Sequence, residues 1–257
     1  MASSELFEPG VIARLDAAAA GRRLGEPVVH GGLWLAEALV VEPGPTLQAL
    51  IGDAPLVIGD VARIERAGAT WRLISAEGAV ICEAEVLCLA GGFASQQLLP
   101  ELELQGVRGQ ASLASPAEAV TAAAWGGYLA PTRDGLMFGA THDRGQTGAE
   151  VRPDDNRRNL ELLARMRPAL AASLAGVELG ARAGVRAATP DSAPLAGAAA
   201  DASGLFVLSG LGGRGFTLAP LLAEHVAALA LGAPSPLPSP LAWSVRPDRF
   251  RARGAKD

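Results

Sequence analysis

The segment SGLGGRGFTLAP, residues 209–220, restricts most what this chain can become. It sets Gly210, Gly212 and Gly215 in a G-x-G-x-x-G spacing between the apolar run LFVLSG and the helix-like LAPLLAEHVAALALG. Strand, glycine turn and helix in that order can seat a pyrophosphate. A dinucleotide fold then needs a second parallel strand ending in an acidic residue about 20 positions on. Here the helix runs into PSPLPSP, so that reading fails on context. What survives is a helix beginning near Phe216 or Thr217, with unpaired N–H groups and a positive dipole end facing whatever lies above it. That is a seat for an electron-rich or anionic edge; the same glycines would also make a plain tight turn.

A chain of 257 residues, 49% hydrophobic and 19% charged, can bury a core for one large domain or two interleaved ones. Cys82 and Cys88, six apart in apolar sequence, read as two reduced, packed thiols, which points to the cytoplasm. The opening MASSELFEPGVIARLD carries Glu5, Glu8 and Asp16 where a secretory signal needs a basic and then an apolar stretch. The longest apolar run, FTLAPLLAEHVAALALG, is broken by Glu224 and His225, so no membrane association is expected. A net charge of −5 excludes a surface given over wholly to nucleic acid. The tail VRPDRFRARGAK sets Arg246, Arg249, Arg251, Arg253 and Lys256 against Asp248; it reads first as a solvated tail and second as a nucleic-acid contact. His30, His142 and His225 show no metal-ligand spacing, and no metal is expected.

Residues 10–20 are helix-prone, with Gly21 or Gly25 as stops. A short strand and a short helix follow Gly31 and Gly32. From residue 55 to 92, short β-rich runs with turns at Gly68 and Gly78 predict an antiparallel meander leading into a buried strand, EVLCLAGG. Residues 107–141 alternate short apolar runs with Gly, Pro and Asp, which predicts a second antiparallel sheet. Asp154 and Asp155 open a helix that stops at Pro168, and a second short helix follows.

The segments VLCLAGGFAS, VRGQAS, GGYLAP, GATHDRG, GVRAATPDSAPLAG and GLGGRGFTLAPLLAEHVAAL, in this order, resemble the D-amino-acid-oxidase-like family of FAD-dependent amine oxidoreductases. Within it they are most similar to the C-terminal oxidoreductase domain of bifunctional tRNA 5-methylaminomethyl-2-thiouridine biosynthesis proteins. The resemblance implies a mixed α/β (α+β) two-part fold: an FAD-binding portion built from separated segments, and an antiparallel substrate-binding sheet. The implied division is 1–106 and 178–257 for the FAD-binding portion and its basic tail, and 107–177 for the substrate sheet and helices. The implied activity is removal of the carboxymethyl group from 5-carboxymethylaminomethyl-2-thiouridine at the tRNA wobble position, with FAD taking the electrons. The alternatives are a small-amine or glycine-type oxidase and a non-catalytic binding module. The family's opening strand, G-x-G-x-x-G and helix have no counterpart in residues 1–29, so the FAD-binding portion reads as incomplete. A separate polypeptide supplying that element is one explanation.

Oxidising a carboxymethylamine requires an anchor for its carboxylate, and arginine offers a fixed, always-charged fork. The resemblance points to Arg186 in GVRAATPD; a structural pair with Asp191 is the competing role. Tyr128, the only tyrosine, is expected on a sheet edge facing the site, as a substrate hydrogen-bonding group or a plain core residue. Gly212, Gly213, Arg214, Gly215, Phe216 and Thr217 form the expected flavin-contacting turn, where negative charge accumulates on reduction. By resemblance alone, Val61, Ala90 and Gly91 lie near the adenosine part of FAD.

Overall fold

Along Leu205–Ser209 both faces are apolar: Leu205 and Val207 belong to one core, Phe206 and Leu208 to another. A strand with that pattern must be covered on both sides. The structure, a computed structural model describing residues 10–115 and 119–251, covers it. The chain forms two compact units. One comprises Met1–Ala54, Gly109–His142 and Ala149–Gly184; the other comprises Pro55–Arg108, Asp143–Gly148 and Val185–Asp257. Elements are numbered along the chain.

The first unit opens with β1 (Ile12–Leu15), α1 (Ala17–Leu24) and β2 (Gly32–Leu35), the two strands pairing antiparallel. The helix expected over 10–20 is therefore half strand. Asp16 starts the helix instead, its carboxylate accepting the Ala19 N–H at 2.7 Å, and Gly25 closes it by donating to the Gly21 carbonyl. α2 (Pro43–Ile51) follows, with no residue buried. The antiparallel sheet runs β7 (Gln105–Ala114), β10 (Gly135–Gly139), β9 (Tyr128–Thr132), β8 (Ala123–Ala124). Its core is Leu129, Leu136 and Phe138 packed with Leu163, Ala171 and Leu174 of the helical segment. That segment holds α4 (Pro153–Ala164), with Asp154 and Asp155 in its first turn, and α5 (Pro168–Ser173). Gly127 has no room for a side chain: a Cβ there would lie 2.7 Å from both the Gly139 carbonyl and Leu162.

The expected boundary at 106 is corrected by this arrangement. Residues up to Ala54 group with the antiparallel sheet, tied to it by a buried pair between Glu26 and Arg167. The second Glu26 oxygen accepts the Ala169 N–H at 2.8 Å. The boundary expected at 178 falls after Gly184, inside β12 (Gly180–Ala188).

In the second unit β3 (Arg63–Ala67), β4 (Thr70–Ile74) and β5 (Val80–Ala84) form the expected meander. β14 (Leu205–Ser209) pairs parallel with β6 (Leu87–Leu89) and antiparallel with β13 (Leu195–Ala198). One face of this sheet carries Trp71, Leu89, Leu195, Leu205 and Val207; the other carries Ala196, Phe206, Leu222, Val226 and Val245. The Trp71 indole N–H and the Arg66 guanidinium both donate to the Ser203 carbonyl, at 3.0 and 2.7 Å, fastening the meander to the start of β14. α3 (Ser95–Leu98) follows β6, and β11 (Asp143–Arg144) pairs with the first half of β7. α6 (Gly215–Ala230) packs on β13 and β14, and α7 (Ser239–Ser244) follows the proline-rich connector. Cys82 and Cys88 are free, as expected, but exposed rather than packed. Among the described residues no helix is long and apolar enough to cross a membrane, and no cluster of three or more His, Cys, Asp or Glu could hold a metal.

Candidate functional site

Three separated segments meet at the end of β14. The Ser209 hydroxyl, at the last strand position, donates to the Gly92 carbonyl at 2.9 Å, which joins the loop after β6 to the glycine turn. Three residues on, the Gly212 N–H donates to the Ala187 carbonyl at 2.8 Å, which places the turn beside the strand carrying Arg186. Local sequence dictates this path. Gly210 has φ +69°, and a Cβ there would lie 2.8 Å from the Thr189 methyl, so only glycine lets the chain turn so close to β12. Gly212 also has a positive φ, +55°, but faces open space, as do Gly213 and Gly215.

α6 starts at Gly215 with no side-chain cap. Its first helical bond runs from the Leu218 N–H to the Arg214 carbonyl, which leaves the N–H groups of the first turn for a partner outside the helix. Phe216 and Thr217 are exposed around that opening, Phe216 at 47%. Arg214 is exposed, and its guanidinium donates to the Ser192 carbonyl, which fixes it against the 189–194 loop.

Arg186 is half-buried on β12, one residue before the carbonyl that holds Gly212. The loop that follows is clamped from the far end of the chain. Arg249, 2% exposed, forks both carboxylate oxygens of Asp191 at 2.9 and 3.0 Å and donates to the Ala193, Pro194 and Arg246 carbonyls. Hydrogen bonding to Arg249 holds the Asp191 carboxyl at about 2, well below its usual range. The Thr189 hydroxyl closes the loop on the Ala193 carbonyl at 2.6 Å. Arg249 is thus no part of a solvated tail: the sequence signal was the Pro247 and Phe250 that interrupt the arginine run. Arg246 pairs with Asp248, and Arg251 with Glu101 and Asp201; Arg253 and Lys256 lie outside the described residues.

Ala90 and Gly91 are exposed in the loop after β6. Beside them Ser95, 1% exposed, has a hydroxyl with no hydrogen-bond partner, 3.4 Å from where a Gly91 Cβ would stand. Val61 stands at the foot of the meander, where its neighbour Ala62 donates to the Ile74 carbonyl. Tyr128 lies in the first unit and is not on an edge: it pairs with Ala124 of β8 on one side and Gly139 of β10 on the other. Sequence reasoning missed β8 because two alanines carry no strand signal. It also missed Ser209 and Ser95, whose roles depend on contacts with residues far away or on local packing. His225, buried with its Nδ1 2.7 Å from the Ser235 hydroxyl, is a core residue, and burial lowers its pKa.

These features fit the ring end of a flavin. The open backbone at Gly212, Gly213 and Gly215, with an uncapped helix start behind it, suits a planar edge that gains negative charge. The orphaned Ser95 hydroxyl lies alongside Gly91, in the segment expected to run near the cofactor. Residues 12–24 form half of a hairpin and a capped helix, joined at Asp16 with no glycine turn between strand and helix.

The comparisons identify the family and the fold. The family model for FAD dependent oxidoreductases matches residues 3–229. The tRNA 5-methylaminomethyl-2-thiouridine biosynthesis bifunctional protein MnmC of Caulobacter sp. (strain K31) is 51% identical over 257 residues, covering 99% of this chain and 42% of that protein. The protein of the same name from Ralstonia nicotianae is 33% identical, covering 97% of this chain and 44% of that protein. The chain therefore spans about two fifths of the length of these relatives. Among solved structures, glycine oxidase from Geobacillus kaustophilus superposes with a TM-score of 0.74 at 23% identity, covering 92% of this chain and 67% of that one. L-proline dehydrogenase from P. horikoshii gives 0.76 at 19%, covering 95% and 70%. The likeness to the solved structures establishes the mixed α/β oxidase fold, and the family match places the chain among the FAD-dependent oxidoreductases.

Proposed function

We propose that this chain is the oxidoreductase portion of a tRNA-modifying enzyme, removing the carboxymethyl group from 5-carboxymethylaminomethyl-2-thiouridine at the wobble position. The observation that carries the reading is the meeting of the Gly212 turn, the loop at Gly92 and the strand of Arg186 at one place. Relatives whose name describes tRNA 5-methylaminomethyl-2-thiouridine biosynthesis, at 51% and 33% identity, support the substrate class.

When bound, FAD would supply the hydride acceptor for the carbon between the substrate amine and its carboxylate. The chain's own residues orient and polarise. The Arg186 guanidinium takes the carboxylate through two charge-assisted bonds, which fixes the α-carbon relative to the turn. The uncapped N–H groups at the start of α6 would stabilise negative charge on a flavin ring edge held there. The amine must reach the site unprotonated, and water then cleaves the oxidised C–N unit to release glyoxylate and leave the aminomethyl nucleoside. Arg214, held by Ser192, positions the loop following Arg186. Tyr128 is assigned to the substrate side of the reaction, and Val61, Ala90 and Gly91 to the adenosine end of FAD. We assign the location of the protein to the cytoplasm.

The test is to give the purified chain FAD and tRNA bearing the carboxymethylaminomethyl nucleoside, then follow glyoxylate release and the mass of the digested nucleosides. Arg186→Met is expected to raise KM about 10- to 100-fold, the worth of a charged bidentate contact, with a smaller change in kcat. Release of glyoxylate from free glycine or sarcosine but not from the tRNA would identify a small-amine oxidase instead. A chain that stays colourless with FAD, alone and with the fraction that accompanies it in the cell, would identify a binding module.

A further inference from the structure

In the first unit a cavity of about 170 Å³ opens beneath the β1–β2 pair, lined by Trp34, Trp125, Arg23, Arg167 and His30. Two of its lining side chains carry buried donors with no partner: the indole N–H of Trp125 and the Nη1 of Arg167. An unpaired buried donor costs about 1–3 kcal/mol, and both side chains that carry one line this cavity, so an occupant with acceptors would relieve that cost. The Arg167 side chain is only 5% exposed, and its remaining nitrogens are engaged by Glu26 and the Leu24 carbonyl. Glu26 neutralises its charge, so the free N–H suits a neutral acceptor better than an anion. On another wall the Arg23 guanidinium stacks over the Trp34 ring, 3.8 Å from its centroid. An arginine plane on an indole is a platform on which a further planar ring stacks well, and the exposed arginine can meet a phosphate beside that ring. The volume admits one ring system, well short of the space a larger ligand occupies.

We propose that this cavity is a subsite for a single nucleobase, which offers carbonyl oxygens to Trp125 Nε1 and Arg167 Nη1 and stacks at Trp34. The inference rests on the tRNA reading and deepens it: the cavity holds a base of the RNA other than the one being oxidised.

The test uses the full chain and a fluorescently labelled anticodon stem-loop RNA, followed by anisotropy. Trp125→Phe keeps the ring and removes only the N–H; Trp34→Ala removes the platform. Binding is expected to weaken about tenfold in Trp34→Ala and about threefold in Trp125→Phe, with millimolar uridine displacing the RNA from the unaltered chain. Glyoxylate release from a free carboxymethylamine is expected to stay unchanged in both. If the unaltered chain binds the RNA and Trp125→Phe, folded by circular dichroism, binds equally with no displacement by uridine, the subsite is overturned and the tRNA reading stands. If the unaltered chain binds no RNA, both fall.

Discussion

The carboxylate of Asp191 lies beside the strand proposed to carry the substrate anchor, and its partner, Arg249, comes 58 positions later. Its folded pKa of about 2 lies below the ordinary value near 3.9, so the pair contributes stability that is present above about pH 4. That stability is lost as pH falls through about 2. Asp191→Asn is expected to flatten the dependence of urea unfolding on pH between about 4 and 2. It should also lower stability at neutral pH by about 3 kcal/mol, because Arg249 is left buried without its counter-charge. None of this was legible locally: composition assigned the arginine to solvent, and a charge run does not reveal which member folds back. The glycines were legible, and the structure separates their roles. Gly210→Ala is expected to destabilise by about 1–3 kcal/mol, from a strained left-handed φ and a collision with Thr189. Gly212→Ala, in open space, should cost about 1 kcal/mol in urea melts while weakening FAD uptake more strongly, since its Cβ would stand on the surface offered to the ring.

At the scale of elements, periodicity and turn chemistry carried the reading wherever runs were long. The meander with its turns at Gly68 and Gly78, the acidic start of α4 and the helix after the glycine turn all form. Short elements escaped, because four residues such as IARL in β1 give too few periods to tell strand from helix. There the deciding fact is pairing with β2, twenty residues on, together with the Asp16 cap that moves the helix start. Asp16→Ala should lower stability by about 1 kcal/mol, read as a small fall in Tm with the sheet signal of circular dichroism retained. The sheet-edge placement expected of Tyr128 fails for the same reason: the strand that flanks it is two alanines long.

At the scale of the whole molecule, the apolar surface is unevenly distributed. α2 buries none of its residues, and Leu47, Leu50 and Ile51 are exposed at 50, 68 and 42%. Contiguous exposed apolar side chains favour association. Leu47→Gln with Leu50→Gln should change Tm little, within about 0.5 kcal/mol of stability, and reduce concentration-dependent light scattering. The oxidoreductase family was legible at this scale only through the order of several motifs together; no single motif specified it. The Arg249 clamp has a practical corollary. A protease nick ahead of Arg246 would remove the latch from the 189–194 loop while leaving α6 and the central sheet intact. The proposed carboxylate anchor would then be expected to loosen before the protein melts, and a tag placed after residue 251 would report on that loop as much as on the end of the polypeptide.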